Sequence, residues 1–178
     1  GANGKVSEAL IEEALSDAEK GDYLVCQLEI SQKIVRYALQ RAKEKGMITV
    51  LNPAPAAVLE EGILESCDYF IPNQSEAEFY TGIYPKEEAS AKQCAEALAA
   101  KGVKNVVVTM GAEGSAYIGG GRYVKVNAFR AEAVDTTAAG DTYVGALAVR
   151  LSEGADVEEA MISASKASSV TVTRRGAQ

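Results

Sequence analysis

Apolar residues recur along the chain in two alternating rhythms, and that alternation sets the expected fold. Ile34, Val35, Ala38, Leu39 and Ala42 fall at helical spacing behind Ser31, and Gly46 follows them. This predicts a capped helix with one apolar face and a glycine stop. Ala91, Cys94, Ala95, Leu98 and Ala99 repeat the pattern before Gly102, as do Val144, Leu147, Ala148 and Leu151. Between the stripes lie short apolar runs at Tyr23 to Leu28, Met47 to Leu51, Asp68 to Ile71 and Val106 to Thr109. Runs of this length predict buried strands, and the β-branched Val106 to Val108 reads as a central parallel strand. Further helices are expected from Ser7 to about Glu19, from Asn73, and from near Ala139 and Asp156. Ser115 to Ile118 and Tyr123 to Val126, joined by three glycines, predict a hairpin. Strands alternating with helices imply an α/β fold, a mainly parallel sheet covered on both faces. With no repeat, linker or low-complexity stretch, residues 1–178 read as a single domain.

Composition narrows the chemistry more than the fold. A formal net charge of -7 without a Lys/Arg cluster argues against nucleic acid as a partner. No apolar run reaches membrane-spanning length, and the first residues do not resemble a signal peptide, so no membrane partner is expected. Cys26, Cys67 and Cys94 are widely spaced and read as reduced thiols, which points to a cytoplasmic protein. The chain has no histidine, which removes Ser-His-Asp and Cys-His mechanisms and the common zinc hydrolase sites. Carboxylates, backbone amides, Lys/Arg and bound cations remain, an inventory that suits phosphoryl transfer.

The densest signal is Asp135-Thr-Thr-Ala-Ala-Gly-Asp-Thr142, running into the helix that carries Val144. Small residues up to Gly140 leave the backbone N–H groups of Ala138, Ala139, Gly140 and Asp141 open at a helix start, a setting suited to an anion. Asp141 either complements the helix dipole or acts as a base toward a hydroxyl attacking a phosphoryl group. Other candidates sit at expected carboxyl ends of strands, where ligands bind in such folds. Glu29 is either an acid that accepts hydrogen bonds from ligand hydroxyls or a solvated loop acid. Asn73 and Glu76 are spaced as a helix capping box, which needs no ligand yet excludes none. Gly111 and Gly114 after Thr109 read as turn glycines, since Gly-x-x-Gly commonly follows a strand. Asn52-Pro53-Ala54-Pro55-Ala56 reads as a rigid architectural loop.

Four stretches in order resemble the ribokinase-like (PfkB) sugar kinase family: Asp135 to Thr142, Asn52 to Ala56, Pro72-Asn-Gln-Ser-Glu-Ala-Glu78 and Thr173-Arg-Arg-Gly-Ala-Gln178. The resemblance runs the length of the chain. It implies the three-layer α/β/α fold of that family and ATP-dependent phosphorylation of a sugar, with D-ribose O5 favoured by the Ala-Ala-Gly-Asp form. Deoxyribose, fructose or nucleoside kinases, or a nucleotide-binding module without chemistry, are the alternatives. By resemblance, Asp141 is the base and Ala138 to Asp141 form the anion hole. Asn73 meets nucleotide phosphates, and Glu76 holds the water shell of Mg²⁺. Thr109, Gly111, Ala112 and Gly114 lie along ATP, and Ser165 contacts adenine or merely packs between helices. Glu29 touches the sugar. Asp135 and the carbonyls of Thr137, Thr171, Arg174 and Gly176 hold a monovalent cation, K⁺. Against the family pattern the chain starts midway. The N-terminal strands, the Gly-Gly sugar loop, the β lid used for homodimerisation and the terminal helix are expected to lie outside it. The segment alone is therefore expected to bind nucleotide at most.

Overall fold

The computed structural model describes residues 1–176; Ala177 and Gln178, the last residues of the Thr173–Gln178 motif, lie outside the described residues. Six strands form one sheet in chain order: β1 (Tyr23–Gln27), β2 (Ile48–Asn52), β3 (Tyr69–Phe70), β4 (Asn105–Thr109), β5 (Ser115–Gly119) and β6 (Arg122–Val126). The first four are parallel, and β5 and β6 fold back antiparallel. The helices are α1 (Glu8–Ala14), α2 (Gln32–Glu44), α3 (Gln74–Thr81), α4 (Glu88–Ala99), α5 (Ala139–Ser152) and α6 (Val157–Thr171).

Alternation along each strand splits the core in two. Leu51, Phe70, Val106 and Val108 face one way and pack with Val35 and Leu39 of α2, Ala77 of α3 and Cys94, Ala95 and Leu98 of α4. Val50, Ile71 and Val107 face the other way, against Val144 and Leu147 of α5 and Ala160, Met161 and Ala164 of α6. Parallel strands added in one direction by crossovers of one hand place their helices on a single face. That face holds α2, α3 and α4, and the opposite face is covered by the later α5 and α6. The result is the expected three-layer α/β/α arrangement.

The apolar stripe of α2 is buried as its spacing predicts, at Ile34, Val35, Ala38, Leu39 and Ala42. The hairpin turns through Gly120 and Gly121, both with positive φ, the backbone that two-residue hairpin turns of matching twist demand.

Three expectations need correction. Helix α1 stops at Ala14 rather than near Glu19. Beyond it the chain tightens into three-residue turns, Ser16 N–H to Glu13 O and Ala18 N–H to Leu15 O, where Ser16 and Asp17 favour local turns over helix. Strand β1 is half-buried, with Val25 42% exposed, because it is an edge strand paired only with β2. Strand β4 is fully buried at its three valines, but it is parallel to β3 on one side and antiparallel to β5 on the other.

At the end of the sheet opposite the carboxyl ends of the parallel strands, Asp68 staples the layers. Its carboxylate is nearly buried and accepts from Lys43 Nζ at 2.7 Å, the Thr49 N–H at 3.0 Å and Thr49 Oγ1 at 3.1 Å. Lys104 Nζ lies 3.4 Å away.

Candidate active site

The carboxyl ends of β2 to β4 and the start of α5 meet in a cleft of about 190 Å³ lined by Asn52, Asn73, Glu76, Thr109, Gly140 and Asp141. A longer, mostly apolar groove of about 600 Å³ continues from it, sharing Thr109 and Gly140 and running past Gly111, Ala112, Gly114 and Ser165. With Ala139, which also lines the groove, the structure brings together ten expected site residues that lie far apart in sequence and sets Asn52 among them.

Ala138, the residue capping α5, adopts φ 60° and ψ 8° and is the one non-glycine with positive φ among the described residues. Alanine in this left-handed conformation is strained, and such strain gathers at functional sites. A left-handed residue followed by a helical one turns successive N–H groups into a concavity suited to an anion. Among the described residues, no acceptor pairs with the N–H groups of Ala138, Gly140 or Asp141. Ala139 differs from the expectation: its N–H donates to the Thr136 carbonyl at 3.2 Å, so it is spent holding the loop. Helix α6 braces this turn, with Ser168 Oγ donating to the Ala139 carbonyl at 2.7 Å and Thr171 Oγ1 to Thr142 Oγ1 at 3.0 Å.

Asn73 caps α3 through the full capping box, its Oδ1 accepting from the Glu76 N–H and its N–H donating to Glu76 Oε2, both at 2.9 Å. Glu76 is 5% exposed. Burial raises its carboxyl above the usual range, partly offset by the Asn73 N–H. The capping role is local and complete, and the same two side chains line the cleft.

Thr109 ends β4, and a tight turn of Gly111–Glu113 leads to Gly114, whose carbonyl accepts from the Met110 N–H at 2.8 Å. Gly114 has φ 85°, and a Cβ there would lie 2.0 Å from the Val126 carbonyl oxygen. Glycine is obligatory at this position whether or not a ligand binds. Ser165 is nearly buried on α6 and faces the groove.

The carboxylate of Asp135 accepts from the Thr137 N–H at 2.9 Å, Thr137 Oγ1 at 2.7 Å and the Gly176 N–H at 3.0 Å. The Thr137 hydroxyl and these N–H groups hold its pKa down, to about 2. Thr171 and Arg174 lie in the same segment, Arg174 N–H donating to the Thr171 carbonyl. The loop before α5 is thereby tied to the end of α6. Glu29, by contrast, is exposed, accepts from Asn3 Nδ2 at 3.3 Å and does not line the cleft.

Two residues acquire a place that motif reading did not give them. Gln27 Nε2 donates to Asp141 Oδ1 at 2.6 Å and to Asn52 Oδ1 at 2.9 Å, and Asn52 Nδ2 donates to the Ile71 carbonyl at 2.8 Å. The available signal was a polar residue closing each of two adjacent strands, since Gln27 and Asn52 are register partners.

Similarity to known proteins agrees with this geometry. The model of the pfkB family of carbohydrate kinases matches residues 1–178. A ribokinase of Haemophilus influenzae is 37% identical over 178 residues, covering 100% of this chain and 58% of the relative. A deoxyribokinase of Salmonella typhi is also 37% identical, over 179 residues, with 100% and 58% covered. The solved structure of Arabidopsis thaliana ribokinase complexed with ribose and ATP superposes with a TM-score of 0.83 at 30% identity, covering 87% of this chain and 51% of that one. The chain therefore spans a little over half the length of the relatives it matches. A match along the whole chain, with the same fold at this level of identity, places it: the chain belongs to the pfkB family of carbohydrate kinases.

Proposed function

We propose that the protein carrying this chain is an ATP-dependent sugar kinase that converts D-ribose and ATP to D-ribose 5-phosphate and ADP. The observation that carries this reading is the placement of Asp141. Its carboxylate stands in the same helical turn as the open Gly140 N–H, where the cleft meets the long groove. An acceptor hydroxyl in the cleft can give its proton to Asp141 while its oxygen attacks the γ-phosphorus and the bond to the ADP oxygen breaks. The N–H groups of Ala138, Gly140 and Asp141 stabilise the charge gathering on the transferred group. Adenosine fits the groove along Thr109, Gly111, Ala112 and Gly114, with Ser165 near the base.

Mg²⁺ would supply charge neutralisation of the nucleotide phosphates. Among the described residues no three His, Cys, Asp or Glu side chains cluster as a metal cage, which suits an ion held mainly by water and phosphate. Glu76 and Asn73 are the residues that would order that water. A monovalent cation, K⁺, fits the donor set of Asp135 and the carbonyls of Thr137, Thr171, Arg174 and Gly176, one carboxylate plus neutral oxygens. It would tighten the loop that shapes the anion site.

The test is ADP release by the protein carrying this chain, with D-ribose, 2-deoxy-D-ribose, D-fructose and a nucleoside as acceptors. D-Ribose should give the highest kcat/KM, and Asp141→Asn should lower kcat about 10²–10⁴-fold without loss of folding. Near-normal turnover by that variant would remove Asp141 from the chemistry. A 2-deoxy-D-ribose kinase is the second reading, supported by the equal identity to the deoxyribokinase of Salmonella typhi, and preference for that sugar would select it. Nucleotide binding without phosphorylation of any acceptor would mark a binding module instead.

A further inference from the structure

We infer that Gln27 and Asn52 form a polarised hydrogen-bond chain that presents Asp141 as a proton acceptor, making them positioning residues for the base. The inference rests on the proposed role of Asp141 as base.

Direction along the chain is fixed at its far end. The Ile71 carbonyl can only accept, so the Asn52 atom 2.8 Å from it must be Nδ2. That leaves Asn52 Oδ1 toward Gln27, and the Gln27 atom 2.9 Å away must be a donor, Nε2. The same Nε2 lies 2.6 Å from Asp141 Oδ1. Its two hydrogens are thereby used once each, one on Asn52 and one on Asp141. Reversing the Gln27 amide would set its oxygen against two acceptors, and reversing both amides would set an Asn52 oxygen against the Ile71 carbonyl. Only one orientation sets a donor against an acceptor at all three contacts, and it aims an N–H at Oδ1 of Asp141. The contact orients the carboxylate and leaves Oδ2, which has no partner among the described residues, to take the proton from the acceptor hydroxyl.

The chain is held by neighbouring strand ends of one sheet. Gln27 closes β1 and Asn52 closes β2 as direct register partners. Ile71 follows β3 and pairs its N–H with the Leu51 carbonyl at 2.9 Å. The sheet edge thus fixes the carboxylate of a helix that begins far along the sequence. Asn52 also lines the cleft, whereas the other members act through Asp141.

The test uses the protein carrying this chain and the substitutions Gln27→Met, Asn52→Leu and Asp141→Asn. Met keeps the length of Gln without its donor. Gln27→Met should lower kcat by about 10²-fold, the cost of a misplaced reacting group, while KM for ATP stays within about twofold. Residues acting through one chain are not additive. Adding Asn52→Leu to Gln27→Met should therefore change kcat little, and Gln27→Met should cost almost nothing in the Asp141→Asn background. Wild-type kcat in a folded Gln27→Met variant, or an equal loss in the Asp141→Asn background, would overturn the inference while leaving Asp141 as base. If the wild type phosphorylates no acceptor, the functional reading fails, and the chain is read by NMR instead. The side-chain amide resonances of Gln27 should move in Asp141→Ala and in Asn52→Leu, and resonances unmoved by both would overturn it.

Discussion

Burying a carboxylate disfavours its charged form, and Glu76 carries that cost at the cleft. A carboxyl whose folded pKa is raised ionises more readily in the unfolded chain. Its penalty is absent below the unfolded value, about 4.3, and grows to its full size as pH rises through the folded one. Glu76→Gln keeps an oxygen for the Asn73 N–H and removes the charge. It should raise stability at pH 7 by about 0.5–2 kcal/mol, with the gain vanishing near pH 4, in urea unfolding at both values. If Glu76 orders Mg²⁺-bound water as proposed, turnover should fall, because the ionised form is the one suited to that role. A variant less stable than wild type at pH 7 would show that the charge is compensated in place. The capping box was legible in the sequence because its two members lie three residues apart and meet within one helical turn. The deep burial of Glu76 was not legible, since residues packed from other elements cause it.

The turn after β4 separates two glycines that look alike in sequence. Gly111 has φ 53° with open space around its would-be Cβ, whereas a Cβ on Gly114 would meet the backbone of Val126, Asn127 and Ala128. Gly111→Ala should cost about 1–2 kcal/mol, the strain of a left-handed L-residue. Gly114→Ala must also push the end of β6 aside and should cost at least about 3 kcal/mol, measured by chemical denaturation. It should weaken nucleotide binding too, because Ala128 and Phe129 beyond β6 line the groove. Equal costs at the two positions would show that β6 yields easily. Helix stripes and the hairpin were readable because period and turn chemistry are local. The early end of α1 was not fully so, since beside the turn-favouring Ser16 and Asp17 a distant Lys45 Nζ, from beyond α2, reaches the Ser16 and Ala18 carbonyls at 3.4 and 3.3 Å. Nor was the Gln27–Asp141 contact, which spans 114 positions and exists only once strand register and helix placement are set.

At the scale of the whole molecule, binding chemistry gathers at one end of the sheet and a charge-based staple holds the other. Asp68 is the centre of that staple. Burial alone would raise its carboxyl, but Lys43 and the Thr49 N–H and hydroxyl outweigh burial and hold it below the usual carboxylate range. A carboxyl with a depressed folded pKa contributes stability that is complete above its unfolded value, about 3.9. That contribution is lost as pH falls through the folded value. Glu12, drawn down to about 2 by Arg41 and Tyr37, and Asp135 and Asp156, also depressed, act in the same direction from half-buried or exposed positions that solvent reaches and screens. Stability should therefore hold from pH 7 to about 5 and decline below about pH 4. Asp68→Asn should be less stable at pH 7 by about 1–3 kcal/mol, the cost of unpairing a buried polar group. Its decline on acidification should also be shallower, because one titrating group has been removed. Urea unfolding of both proteins at pH 7, 5 and 3 reads the two effects separately. An equal acid slope in variant and wild type would assign the decline to the exposed pairs. A shallower slope would show that one buried carboxylate couples β2, β3 and α2 beneath a site built at the opposite end of the same strands.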